Sequence, residues 1–290
     1  MTENAGYHPH HNISFGDEGN YYQVAFDKVR DNLSRGLASV YAIQSIATED
    51  TRAAVIRGME KVGIDNVAQH VESGMIVLID NNTFYSKAGL NTQALKNYWR
   101  SILANMNRKL KSSYNGVSAL FSAESYVNRN LYDTFMAWEI LEDRRPAVQS
   151  ELFCWYKKQW LDRLSFIHLV RLFTSHNSTV HKNWNYKDWS DSEIVDLIEQ
   201  GIERILGPKP TQVLIETVRM RYGLSREEIA SRPEYFESIL HKMLEDDAST
   251  ILDSAADVLK KALAYEAIHQ NGRALPTGKN RGRPSDGRLG

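Results

Sequence analysis

The sequence predicts an α/β protein: a mostly parallel sheet with helices on both faces, followed by a small all-α domain. Three observations carry this. Short β-branched and aromatic runs alternate with helix-period segments between about residues 20 and 190, a Gly-Pro-Lys-Pro break follows at residues 207–210, and only helical periods recur beyond it.

The first helix is marked by Phe26, Val29, Leu33 and Leu37 at three- and four-residue spacing, with Gly36 near its end. Ser39 to Ile46 follows as a strand, too short for a helix and apolar enough to be buried on both faces. Thr48, Glu49 and Asp50 open the next helix with the acid that favours a helix amino end, and it runs to Gly63. Gly74 to Asp80 is a second strand, followed by a long helix from about Thr92 to Lys111. Gly116 to Phe121 is a third strand, Leu131 to Leu141 a helix, Glu151 to Tyr156 a fourth strand and Leu161 to Phe173 a helix. Repeated strand-helix units of this kind close by right-handed crossovers into a parallel sheet. Residues 178–190 lack a clear period and read as a strap closing the domain. Asp191 to Leu206 carries Ile194, Leu197, Ile198, Ile202 and Ile205 on one helical face, and Pro208 marks a hinge. Thr211 to Tyr222 is helical, Ser225 with Glu228 forms a capping box, Pro233 starts another helix, and Ala248 to Ala267 supplies a last one.

This reading divides the chain into a flexible N-terminus (1–19), an α/β domain (20–190), a connecting helix and hinge (191–208), a helical domain (209–268) and a basic, disordered tail (269–290). The 290 residues include 35 Lys+Arg and 36 Asp+Glu, a net charge of −1, so nucleic-acid contact needs a local patch. The single cysteine, Cys154, excludes an internal disulfide and a cysteine-rich zinc site, and within a hydrophobic strand it reads as a packing thiol. His8, His10 and His11 surround Pro9 in a terminus expected to fray rather than to bind metal. No run reaches the roughly 18 apolar residues of a membrane span, so no membrane contact and a cytoplasmic location are expected.

Several ordered segments, Tyr21-Tyr22, Leu33-Ser34-Arg35-Gly36, Val40 to Ile46, Glu72 to Leu78, Phe121 to Glu124, Cys154-Trp155-Tyr156 and Leu172 to Asn177, make residues 12–181 resemble the MEDS sensory domain. The resemblance implies a RecA-like fold without the ATPase phosphate loop, sensing a small molecule or relaying a signal to an attached domain. Where that family carries a proline after the histidine, this chain has Asn177. Residues 211–263, with Tyr222-Gly223-Leu224 and Pro233-Glu234-Tyr235-Phe236, are similar to a small helical module of archaeal proteins.

No Gly-x-x-x-x-Gly-Lys-Ser/Thr is present, and the turn Ser45 to Thr48 has no glycine to cradle a phosphate. Catalytic residues and cofactors are therefore not expected. Ligands of open α/β sheets sit outside the carboxyl ends of the strands, which selects Gln44, Ser45, Asp80, Ser122, Glu124 and Tyr156 as candidates, with His176 at a helix end. Glu124 is equally open to a helix-capping or ion-pairing role, and His176 to a capping one. Arg281-Gly282-Arg283-Pro284 has the core of an AT-hook, in which two arginines flank a glycine that presses into the minor groove of A/T-rich DNA; a solubilising tail is the other reading. The leading expectation is a signal-responsive regulator, able to form a homo-oligomer, whose partner is a small molecule or a protein, with A/T-rich DNA as a further partner of the tail. A self-assembling scaffold and an enzyme remain open alternatives.

Overall fold

The computed structural model describes residues 10–16, 18–43, 49–80, 91–111, 113–122, 150–176, 178–181 and 185–264. Its elements begin with β1 (His10–Gly16), α1 (Glu18–Ser34), β2 (Leu37–Ile43), α2 (Glu49–Lys61), α3 (Val67–Ser73) and β3 (Ile76–Asp80). They continue with α4 (Thr92–Leu110), β4 (Gly116–Ser122), β5 (Ser150–Lys157), α5 (Lys158–Leu161), α6 (Phe166–Ser175), β6 (Ser178–His181) and β7 (Asn185–Asp188). The strands form one seven-stranded sheet in the order β3-β2-β4-β5-β1-β6-β7. Every neighbouring pair is parallel except the final β6-β7 hairpin. The expected α/β class is the observed one.

The N-terminus differs from its expected form. Residues 10–16, assigned to a flexible segment, form a strand inside the sheet, paired along its length with β5 and over Asn12 to Ser14 with β6. Its only large apolar residues are Ile13 and Phe15, and flanking histidines and asparagine hide that short alternation. The expected strap at 178–190 is likewise two short strands that extend the sheet. The expected helix at 131–141 lies outside the described residues.

Chain direction explains the layers. From β1 through β2 to β3 the chain steps toward one edge of the sheet, and from β3 through β4 and β5 to β6 it steps back. Right-handed crossovers then place the intervening helices on opposite faces. On one face α1 packs Phe26 against Tyr41, ring centres 5.8 Å apart. On the other α4 sets Trp99 edge-on to Phe121 at 5.6 Å. Asn91 starts α4 by accepting the amides of Gln93 and Ala94, which satisfies two of the orphan donors at its amino end.

Four further helices follow: α7 (Asp191–Leu206), α8 (Pro208–Tyr222), α9 (Pro233–Leu244) and α10 (Asp247–Ala264). Ser190 and Glu193 form a capping box on α7, and Ser225 with Glu228 forms the expected one before α9. The break at Pro208 is a tied corner: Gly207, at φ 82°, donates to Glu203 O at 2.8 Å, and its own carbonyl accepts from Thr211 Oγ1 at 2.9 Å. The helical region shares its core with the sheet domain. Helix α10 packs along α7 and also touches α6 and β1, while Phe166 of α6 meets Phe236 of α9. Arg171 of α6 adds a two-pronged ion pair to Glu234 of α9, at 2.9 and 2.6 Å.

Candidate functional site

The carboxyl ends of the parallel strands form one rim. Asp80 of β3 lies beside Ile43 of β2, Ser122 of β4 beside Trp155 of β5, and Lys157 of β5 beside Gly16 of β1. Strand β1 ends at Gly16 and α1 begins at Glu18, which leaves Asp17 as the whole connection. A phosphate cradle needs a longer glycine-rich loop whose amides converge on the anion, and the sequence Gly16-Asp17-Glu18 has no such loop. The first strand-to-helix turn is thus this one, not Ser45 to Thr48.

The predicted site residues separate on this rim. Asp80 lines a cleft of about 340 Å³ between β3 and the flank of α4, together with Val77, Tyr98, Ser101, Ile102 and Asn105. Ser122 ends β4 two strands away. Tyr156 is fully buried on the same side of β5 as Cys154 and belongs to the core. His176 is buried at the end of α6, where Nδ1 lies 2.7 Å from Leu172 O; that ring nitrogen donates to the carbonyl and closes the helix end. Gln44, Ser45, Glu124 and Arg281, Gly282, Arg283 and Pro284 lie outside the described residues. The α4 contribution to the cleft escapes sequence reasoning, because Tyr98, Ser101 and Asn105 flank the buried stripe Trp99, Leu103, Met106 and Leu110.

A second polar group sits under α1, near the amino ends of the strands. Register sets Ser39, Ser118 and Glu151 side by side on one face of three adjacent strands. Helix α1 lays Lys28, Asn32 and Arg35 over that row, at the i, i+4 and i+7 spacing of one helical face. Asn32 Nδ2 donates to Ser39 Oγ at 3.0 Å, Arg35 Nη2 pairs with Glu151 Oε1 at 2.8 Å, and Lys28 Nζ reaches Glu151 Oε2 at 3.3 Å. Burial pushes the Glu151 carboxyl upward, but the hydrogen bond from Arg35 and the two positive charges outweigh it and hold it below the usual carboxylate range. This seam fixes α1 on the sheet and is closed to ligands.

Among the described residues no cluster of His, Cys, Asp and Glu could hold a metal ion, and no helix is long and apolar enough to cross a membrane. A parallel sheet wrapped by helices, with a polar rim and a side cleft, defines an open-sheet α/β domain. The family is specific. Residues 10–173, more than half of the chain, match the MEDS model, the methanogen/methylotroph, DcmR sensory domain, and the chain belongs to that family. The match starts at the first residue of β1 and ends within α6. Membership of a family of sensory domains gives the chain a sensory or regulatory role in general. No curated protein matches the chain.

Proposed function

We propose that this protein is a non-catalytic sensor: it takes a small molecule at the Asp80 end of the rim and passes its state to helices α7 to α10. The observation that carries the reading is the cleft of about 340 Å³ at the carboxyl end of β3, within the size range of small-molecule sites and lined by both apolar and polar groups. Ile102, Val77 and Ile79 offer an apolar wall, Tyr98, Ser101 and Asn105 offer polar side chains from α4, and Asp80 borders the cleft at the strand end. The relay is supported by α10, which touches both β1, a rim strand, and α6. The one-residue turn between β1 and α1 argues against nucleotide hydrolysis. Output to transcription belongs to the tail: Arg281, Gly282 and Arg283 would enter the minor groove of A/T-rich DNA, with Pro284 behind them.

Thermal unfolding against a panel of small metabolites tests the sensor. At least one compound is expected to raise the midpoint of the wild type, to lose that effect in Asp80→Ala, and to change amide exchange in α9 and α10. Release of phosphate from ATP or GTP by the purified chain would overturn the non-catalytic reading. For the tail, the full chain should bind an A/T-rich duplex more tightly than a G/C-rich one in a salt-dependent way, and a chain ending at Gln270 should not.

A further inference from the structure

The near-zero net charge conceals a strong local imbalance. From Asn81 to Ala123 the sequence has no Asp or Glu, although the chain as a whole has 36, and it carries Lys87, Lys96, Arg100, Arg108, Lys109 and Lys111. At the centre of that stretch is α4, 19 residues and about 28 Å long. One side of the helix is buried through Trp99, Leu103, Met106 and Leu110, and the other is exposed.

Helical spacing gathers the cations on that exposed side. Gln93, Asn97, Arg100, Ala104, Arg108 and Lys111 recur at three- and four-residue steps, are all exposed, and turn away from Tyr98 and Ile102 of the cleft. Lys109 departs from the row, its Nζ 3.5 Å from Glu72 O of α3. Amides add further donors. Gln93 Nε2 donates to Asn97 Oδ1 at 3.1 Å and the Tyr114 hydroxyl donates to Asn107 Oδ1, so both asparagines have their acceptor oxygen engaged and their Nδ2 left for a ligand. Arg108 Nη2 donates to Asn105 Oδ1 at 2.8 Å, and among the described residues neither Arg108 nor Lys111 has a carboxylate partner. Complementing the helix dipole accounts for a basic last turn. It does not account for Arg100 in mid-helix, nor for a face of donors without an acid among them.

What the face lacks narrows the partner. Protein interfaces and membrane surfaces are held by apolar anchors, and apart from Ala104 the row has none. Single strands stack their bases on aromatic rings, but Trp99 is buried and Tyr98 lies at the cleft. A duplex bound through its phosphates fits a row of cations and amide donors. The major groove of B-form DNA admits the exposed side of a helix, whereas that of duplex RNA is too deep and narrow. We infer that the outer face of α4 is a sequence-independent docking surface for double-stranded DNA, with Arg100, Arg108 and Lys111 on the phosphates and the amides of Asn97 and Asn107 beside them. This contact has no A/T preference and does not require the tail arginines.

Fluorescence anisotropy with a labelled G/C-rich duplex tests it, using the full chain with Arg281→Ala and Arg283→Ala so that the tail is silent. That chain is expected to bind with a Kd of about 1–100 µM, weakening as salt rises. Adding Arg100→Gln, Arg108→Gln and Lys111→Gln removes three phosphate contacts. The slope of log K against log salt should then shrink by about 3, and affinity at low salt should fall at least about tenfold. Arg57→Gln, Arg163→Gln and Arg204→Gln, at exposed positions elsewhere, remove the same charge and should change the affinity less than about twofold. Absence of duplex binding by the tail-silenced chain overturns the inference and leaves the reading of the tail standing. Equal losses in the two sets overturn it too, as does tighter binding of duplex RNA, anionic vesicles or polyglutamate than of DNA.

Discussion

At the scale of single residues, the seam under α1 holds the sharpest tests. Ser118 is wholly buried and its hydroxyl has no hydrogen-bond partner, as is the case for Asn32 Oδ1. An unmade buried hydrogen bond costs about 1–3 kcal/mol, and replacing the group by an apolar one of similar size removes the cost. Ser118→Ala is therefore expected to stabilise the fold by about 1 kcal/mol in urea unfolding, whereas Ser39→Ala, which strips Asn32 Nδ2 of its acceptor, should destabilise it by about 1–2 kcal/mol. Glu151 gives a pH signature. Its folded-state carboxyl titrates below the unfolded one, so its contribution is present above the ordinary carboxylate range and is lost as pH falls through the depressed value. Glu151→Gln should unfold at lower urea than the wild type at pH 7, and the gap should close in the acid range. None of this was visible in the sequence. Phe26, Val29 and Leu33 announce an amphipathic helix, but Glu151, the partner that Lys28 and Arg35 share on the sheet, lies on a strand more than a hundred residues away.

Elements were read best where local chemistry alone decides them. Helix α7 runs from Asp191 to Leu206 as its apolar spacing predicts, and α4 begins at Thr92 as expected. Strand β1 was missed because pairing on both sides, not its own composition, makes it a strand. The cleft was legible only at Asp80, since the rim argument selects strand ends and not the flank of a crossover helix. Gly201 shows what a close helix crossing demands. A Cβ there would lie 2.3 Å from Ala255 Cα and 2.7 Å from Ala255 N, and Ser254 Oγ already donates to Gly201 O at 2.7 Å. Backbone cannot yield as a side-chain tip can. Gly201→Ala is expected to cost about 1–3 kcal/mol net in urea unfolding, although alanine improves helix propensity by about 1 kcal/mol.

For the whole molecule, the family match and the physical unit do not end at the same place. The match stops at residue 173, within α6, yet the far side of that helix is covered by helices beyond it. Phe166 packs on Phe236, Arg171 pairs with Glu234, and α10 lies against both α6 and β1. Buried apolar area stabilises by roughly 25 cal/mol per Å², so removing those helices would expose a contiguous face that a soluble domain does not tolerate. A chain ending at Ser190 is accordingly expected to aggregate on expression, or to bind a hydrophobic dye strongly if recovered, whereas a chain ending at Gln270 stays soluble and folded. Arg171→Ala separates the charge pair from the apolar contact. Its ion pair is partly exposed and worth on the order of 1 kcal/mol, so the variant should remain folded while amide exchange in α9 quickens and that of β2 and β4 does not. If the 1–190 chain instead folded with native sheet protection, the helices would be an appended domain, and contact through α10 could not be the route by which the rim reaches them.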